Sequence, residues 1–441
     1  MARRASHPPL TVFLNNRQVG RMVRQANGAI EFTYGASWLE WENGFPISLS
    51  LPLRETRFTG ERVVAVFENL LPDPGAIRTR IAERVGAAGS DAYSLLAAIG
   101  RDCIGALQFL PDGIEPEPLD DIHGIPLDDG AIEAMLANLA RAPLGLDRDD
   151  DFRISVAGAQ EKTALLRHEG RWLKPTGTTP TTHLIKPRIG RLANGIDLTA
   201  SVDNEYYCLR LMRAFGLEAA AAEIHRFGEA RALVIERFDR RWARDGRLLR
   251  LPQEDCCQAL SVPPFRKYES DGGPTIGAII GLLRGSDEPA LDQAAFLKAQ
   301  ILFWLIGATD GHAKNFSIAL APGGRFRMTP LYDVLTTQPS LDAHDIKRSQ
   351  FKLAMAVGTQ RKYRIADIHG RHFVETARGA GLPDPLTQSV IDDVRARFDR
   401  AFEEVVTDLP SDFAGQVHES VIAAAQARLK LLDTAEIELR D

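Results

Sequence analysis

Lysine is scarce in this chain. Of 441 residues only 10 are lysine, against 43 arginines, and none precedes Lys162. Cysteine is scarcer: Cys103, Cys208, Cys256 and Cys257 form no CxxC pair and no disulfide-like spacing, which points to a reducing compartment. The longest apolar run, Ile301 to Ala308, falls far short of the roughly 20 residues a membrane span needs. The first seven residues have no apolar stretch behind them, so no secretory signal is expected. Neither sign of charge dominates: Lys+Arg 53 against Asp+Glu 59 gives −6, and no global basic field predicts nucleic-acid binding by itself. Walker A, GxSxG, HExxH and dinucleotide fingerprints are all missing. The ten histidines show no metal-ligand spacing. These absences leave a cytoplasmic globular protein, with no membrane partner, long enough for two or three domains.

What is present concentrates in one stretch. Thr309-Asp310-Gly311-His312-Ala313-Lys314-Asn315, followed by Leu331-Tyr332-Asp333, sets an Asp, an Asn five residues later and a second Asp beyond. Protein kinases use this spacing. Asp310 would take the proton of the attacking hydroxyl, and Asn315 and Asp333 would hold Mg²⁺ on the phosphates of ATP. His312, Lys314 and Tyr332 lie beside these residues and join the candidate nucleotide-contacting set. Upstream, Lys186 in His183-Leu184-Ile185-Lys186-Pro187 sits where a strand lysine should meet the phosphates, and Glu205 on the next helix is its candidate partner. A chain that defaults to arginine has kept Lys162, Lys186 and Lys314 in these motifs, where a compact point charge suits phosphate.

Ala157-Gly158-Ala159-Gln160-Glu161-Lys162 takes the place of a glycine-rich loop, its small residues letting backbone N–H groups approach phosphate oxygens. Glu236-Arg237-Phe238 is expected between two lobes, where kinases bind adenine through the backbone, with Asp239 available to the ribose hydroxyls. The competing reading there is a buried strand end with Arg237–Asp239–Arg240 surface pairs. Lys347, Arg348, Lys352, Arg361, Lys362 and Arg364 form one acid-free basic cluster, either a solvated face or a phosphate-contacting patch.

The organisation fits this chemistry. A β-meander from Leu10 to Tyr34 turns at Asn15-Asn16 and Asn27-Gly28. Helical patterns follow at Val63–Leu71, Ala76–Val85 and Ala92–Ile99, the last with a Ser90/Asp91 cap. Residues 111–130, rich in Pro, Asp and Gly, suggest a linker or an exposed loop. Strands return between 154 and 240, and the chain beyond about 245 is mainly helical. We expect an α+β, bilobal protein-kinase-like fold with an extra N-terminal β-rich subdomain. The spans are 1–110, a linker with a short helix at 111–148, a nucleotide-binding core at 149–240, and a helical lobe at 241–441.

These motifs resemble the HipA family of bacterial toxin kinases. The resemblance rests on Ile154 to Thr163, His183 to Pro187, Val234 to Arg240, Pro252-Gln253-Glu254-Asp255 and the loop at 309–315, with Leu70-Leu71-Pro72-Asp73 and Arg101 to Ala106 in the N-terminal part. It covers about residue 10 to residue 335. It implies a serine/threonine kinase toxin that uses ATP and Mg²⁺, inactivates itself by autophosphorylation at Ser155, and phosphorylates a component of translation such as an aminoacyl-tRNA synthetase. It also implies a HipB-like helix-turn-helix antitoxin that neutralises the kinase and binds operator DNA with it. Two alternatives stand beside this: a small-molecule phosphotransferase on the same fold, and a catalytically silent corepressor.

Overall fold

Asn15 and Asn16 adopt left-handed backbone angles, φ 45° and 65°, which Asn tolerates better than most residues. They turn strand Leu10–Leu14 into strand Arg17–Arg24, as a tight hairpin requires. Gly28, at φ 89°, lies in the next turn, into Ile30–Tyr34. The expected meander forms, and Phe58–Thr59 and Leu107–Pro111 complete a five-stranded antiparallel sheet. Helices Glu61–Glu68, Gly75–Val85 and Ala92–Ile99 follow where the apolar pattern placed them. Asp91 caps the third, its carboxylate accepting the Ser94 N–H at 3.1 Å. Phe67 meets Phe32 and Phe109 edge-on, at 5.8 and 5.5 Å, and fastens a helix to this sheet. The computed structural model describes residues 7–73, 75–147 and 150–432. The expectations about residues 1–6 and about a boundary at 148/149 lie outside them.

A six-stranded sheet comes next, in the order Ala222–Phe227, Ala230–Glu236, His183–Pro187, Thr163–His168, Arg171–Pro175, Gly124–Leu127. Its last strand corrects the sequence reading, because the presumed linker 111–130 contributes Gly124–Leu127 as the partner of Arg171–Pro175. Pro126 is tolerated there since an edge strand has a face with no ladder to break. Ile132, Leu136 and Leu139 pack against Leu165, Trp172, Ile185, Phe227, Ala232 and Val234 to form the core of this sheet.

The later chain is mainly helical, as expected. Helix Pro289–Ile306 begins with proline at its first turn, and is buried on most of its faces. Even Lys298 lies inside, its ammonium held by the Phe215 carbonyl and the Asp393 carboxylate, because a buried cation needs such partners. Helices Ser201–Ala214, Ile276–Leu283, Gly370–Gly379, Asp384–Thr407 and Gly415–Leu432 complete the helical part. No helix among the described residues is long and apolar enough to cross a membrane. The four cysteines are buried thiols.

Two compact units result, and neither is a single span. One contains the chain up to Pro187, with His225–Phe265 and Ala319–Arg325. The other contains Arg188–Ile224, Arg266–Ile318 and the chain from Phe326. Helix Ser201–Ala214, expected with the nucleotide-binding core, belongs to the second because it packs along Asp384–Thr407. Residues 241–265, expected with the helical lobe, belong to the first.

Within the first unit, two carboxylates and three guanidiniums are buried together. Asp102 Oδ1 accepts from Arg240 at 2.8 Å and Arg250 at 3.2 Å, and its Oδ2 accepts from Thr181 N–H at 3.0 Å and Arg237 at 3.3 Å. Asp239 accepts a paired donation from Arg237, at 2.9 and 2.8 Å, and the Gly105 N–H at 2.6 Å. Burial raises both carboxyls. The surrounding arginines outweigh it, holding Asp239 at about 2 and Asp102 far below the usual range. This corrects two candidate assignments. Asp239 cannot take ribose hydroxyls from this position, since its oxygens are occupied and it is only 3% exposed. The Arg237 guanidinium is equally committed, and its N–H donates to Thr182 O at 2.9 Å. The Arg237–Asp239–Arg240 pairs do exist, but in the interior and not on the surface.

Another buried acid, Glu254, fastens the segment after the meander. Glu254 Oε1 accepts the Leu49 N–H at 2.8 Å, and burial pushes its carboxyl up to about 8.

Two outcomes follow. Asp102→Asn leaves three buried guanidiniums facing a single carboxylate and should cost about 3–5 kcal/mol in urea unfolding; a loss below about 1 kcal/mol would remove the network from the centre of this fold. Glu254 is protonated in the folded state above the pH at which it ionises when unfolded. Its contribution is therefore complete below about 4.5 and is lost as pH rises through about 8. Glu254→Gln should flatten the fall in stability across that window, measured as melting temperature against pH; an unchanged slope would contradict the assignment.

Candidate functional site

The strongest candidate residues come from the root of helix Pro289–Ile306. That helix stops at Gly307, φ 73°, with Ala308 N–H bonded to Phe303 O at 2.8 Å. A Cβ at Gly307 would lie 2.6 Å from the Phe351 ring, and one at Gly311 would lie 2.4 Å from Phe303. Both glycines are needed for the chain to turn tightly enough to present Asp310. The Asp310 side chain is 56% exposed, as a base that meets an incoming hydroxyl must be.

The loop folds back on Asp310. His312 N–H donates to Asp310 O at 2.8 Å, and the Asn315 side-chain N–H donates to the same carbonyl at 2.8 Å. With Nδ2 used there, the planar amide aims Asn315 Oδ1 the other way, as a hard oxygen ligand would be. Lys314 is buried in the loop, and its carbonyl accepts from the Tyr332 hydroxyl at 2.8 Å, which also pairs with Ser317 Oγ at 2.6 Å. The ring of His312 is buried and packs edge-on against Tyr268 at 4.9 Å, so it shapes the loop from within. Tyr268 also donates its hydroxyl to Asp310 Oδ1. Sequence reasoning missed Tyr268, which lies 42 residues upstream of Asp310. The signal available was the turn-forming run Ser270-Asp271-Gly272-Gly273-Pro274 directly after it.

Asp333 has φ 56°, a left-handed angle uncommon outside glycine and often found where geometry serves a site. Its neighbours hold it there. Leu331 donates to Glu218 O at 2.8 Å and accepts from Ala220 N–H at 2.7 Å. Three residues on, the Asn204 amide pairs with both backbone groups of Thr336, at 2.8 and 2.9 Å. Glu205, beside Asn204 on the same helix, is buried.

The other unit carries the candidate phosphate-binding groups. Lys186, on strand His183–Pro187 opposite Leu233, is only 4% exposed and is not the surface lysine a strand end suggests. The loop at 157–162 bends at Gly158, φ 104°, a conformation closed to larger residues. Lys162 closes it, its ammonium donating to Ala157 O at 2.7 Å, while the Gln160 amide reaches Pro187 O at 3.4 Å. Ala159 and Glu161 stay exposed. Just before the loop, Ser155 is 0% exposed: its hydroxyl donates to Leu70 O at 2.7 Å and its N–H to Asp102 O at 2.9 Å. Of the expected adenine-contacting group, Glu236 is exposed and Phe238 half-buried.

The basic cluster lies on and before the hairpin Lys352–Val357 and Lys362–Arg364. Acids from elsewhere in the chain answer part of it: Arg361 pairs with Glu269 at 3.0 Å and Arg364 with Asp367 at 2.8 Å. Lys347, Arg348 and Lys352 are exposed and Lys362 is half-buried.

Comparison with known proteins agrees with this chemistry. Residues 10–110 match the HipA N-terminal domain and residues 154–402 the HipA-like C-terminal domain. A Sinorhizobium fredii protein named "Putative kinase Y4mE" is 35% identical over 428 residues, covering 95% of this chain and 98% of that one. The serine/threonine-protein kinase toxin HipA of Shewanella oneidensis is 27% identical over 452 residues, 98% of each chain. The solved complex of Shewanella oneidensis HipA with HipB and operator DNA contains a chain that superposes with a TM-score of 0.81 at 26% identity, covering 97% of this chain and 100% of that one. With both family models matched in order and a relative 35% identical along nearly its whole length, the chain belongs to the HipA family of kinases.

Proposed function

We propose that this chain is an ATP- and magnesium-dependent serine/threonine protein kinase and the toxin of a toxin–antitoxin pair. The observation that carries the proposal is the folded catalytic loop: an exposed Asp310, an Asn315 amide oriented by the Asp310 carbonyl, and Asp333 held in a left-handed conformation. Each unit, taken by itself, offers donors whose chemistry suits the nucleotide or its metal. Asn315 and Asp333 offer hard oxygens, Lys186 an ammonium, and the Gly158 loop closely spaced backbone N–H groups. Bound magnesium would neutralise charge on the transferring phosphoryl group. Asp310 would orient the substrate hydroxyl and accept its proton. These intact groups favour an active enzyme over a silent corepressor.

The Shewanella oneidensis relative is titled as part of a complex with HipB and operator DNA. By family kinship we assign this chain a HipB-like helix-turn-helix antitoxin, operator DNA reached through that complex, and a cytoplasmic site of action. Its substrate would be a translation component of the aminoacyl-tRNA synthetase type. The exposed cations Lys347, Arg348 and Lys352 would be available to phosphate groups of such partners.

Ser155 gives the proposal a regulatory arm. A phosphate on this hydroxyl would remove the donor that Leu70 O now receives and place about two negative charges in a buried, acceptor-lined position. The segment would have to leave Leu70 and Asp102, taking the loop at 157–162 with it. Incubation with Mg²⁺ and ATP should yield one dominant phosphopeptide containing Ser155, with activity falling as it accumulates, and Ser155→Ala should prevent both. Fully active protein with Ser155 stoichiometrically phosphorylated, by mass spectrometry, would refute this arm alone.

The catalytic assignment has its own test. Asp310→Gln should keep the fold and bind nucleotide while phosphoryl transfer falls about 10²- to 10⁴-fold. Transfer at the wild-type rate would overturn the assignment.

A further inference from the structure

The turn that carries Tyr268 is built with little freedom. Gly273 and Asp271 N–H groups both donate to Tyr268 O, at 2.9 and 3.1 Å, and Gly272 takes φ 87°. A Cβ on Gly273 would lie 2.0 Å from Arg266 O and 2.6 Å from Tyr268 O, so no larger residue fits. On one side the turn is bonded to the catalytic loop, Lys267 O accepting the Ala313 N–H at 3.3 Å. On the other, the buried Glu269 carboxylate accepts the Ala356 N–H at 2.7 Å and Arg361 at 3.0 Å, tying the turn to the basic hairpin. The Tyr268 ring stands at 84° to His312, itself buried inside the loop. The side chain is thus fixed at its backbone, its ring and both flanking residues. Its hydroxyl ends on Asp310 Oδ1.

Asp310 is the opposite case. It is the exposed member of the loop, and holding an exposed side chain in one rotamer costs conformational entropy. Activity depends on holding one of its oxygens toward the attacking hydroxyl, and small misplacements of reacting groups are costly. A surface hydrogen bond from a mobile donor would restrain it little; a donor locked by packing supplies a reference point.

We propose that Tyr268 is a positioning residue for phosphoryl transfer: its hydroxyl anchors Oδ1 of Asp310, leaving Oδ2 directed at the substrate hydroxyl. This rests on Asp310 being the base, and goes beyond that reading by naming the group that orients it. Tyr268→Phe keeps the ring and its contact with His312 and removes only the donor. It should leave the melting temperature unchanged, keep the KM for ATP within about twofold, and lower kcat about 10- to 100-fold.

A double-mutant cycle separates a positioning role from a structural one, because a residue acting through Asp310 has nothing to act on once that carboxylate is gone. In the Asp310→Gln background, Tyr268→Phe should change the residual transfer rate less than about twofold. Wild-type kcat in Tyr268→Phe, or the same drop in both backgrounds, would overturn the proposal while leaving Asp310 as base. A wild-type rate in Asp310→Gln alone would show that the base reading had failed first, and the proposal with it.

Discussion

The buried cluster of Asp102, Asp239, Arg237, Arg240 and Arg250 is the constraint on which the first unit depends. Its members come from the N-terminal part of the chain and from residues 237–250, which follow strand Ala230–Glu236 of the six-stranded sheet. No apolar contact could specify that junction as narrowly, because each guanidinium must find planar acceptors at set angles. Those acceptors include backbone carbonyls: Cys103 O receives both Arg237 and Arg240 at 2.8 Å, and Thr178 O receives Arg250 at 2.7 Å. Burying such charges contributes little net stability compared with an apolar replacement, but separating one partner from the rest is costly, which disfavours packings that do so. The chain's preference for arginine acquires a structural meaning here, since an ammonium could not span what Arg240 spans, the Asp102 and Asp239 carboxylates and the carbonyls of Cys103, Gly105 and Asp239.

The loop at 309–315 depends on a different economy, in which small residues make room and polar backbone groups set direction. Gly307 and Gly311 let large aromatic rings approach the backbone, and the Asp310 carbonyl gathers the donors that close the loop. The unusual backbone at Asp333 is held by hydrogen bonds at Leu331 and Thr336, on either side of it. A conformation costing about 1–3 kcal/mol persists because its surroundings over-determine it.

Much of this was legible in the sequence. The meander was, since Asn15-Asn16 and Asn27-Gly28 encode turns locally, and so was the cap at Asp91. The motif from Asp310 to Asn315 was legible because its residues lie close together along the chain. Strand Gly124–Leu127 was hidden by Pro126 and its glycine- and aspartate-rich surroundings, which mimic a linker when the strand sits at a sheet edge. Asp239 was misread because a carboxylate near a strand end carries no local sign of whether solvent or two arginines will surround it. Tyr268 was invisible for the same reason: its meaning lies in a partner 42 residues away. Lys186 was placed correctly on its strand, but its burial came only from the strand's position inside the sheet.

The segment 155–158 has a consequence for how the chain can be divided. Ser155 and Gly158 form parallel bridges with Cys103 and Pro72, and Asp73 N–H reaches Gly158 O at 3.4 Å. The two family models cover these partners as separate spans, one ending at residue 110 and the other starting at 154. Their backbones nevertheless complete each other's hydrogen bonding. A gene split between those spans would produce two polypeptides with unsatisfied strand edges, each prone to bind the other or to aggregate. The boundary that looks modular in sequence thus lies inside one compact unit, whose two spans share backbone hydrogen bonds.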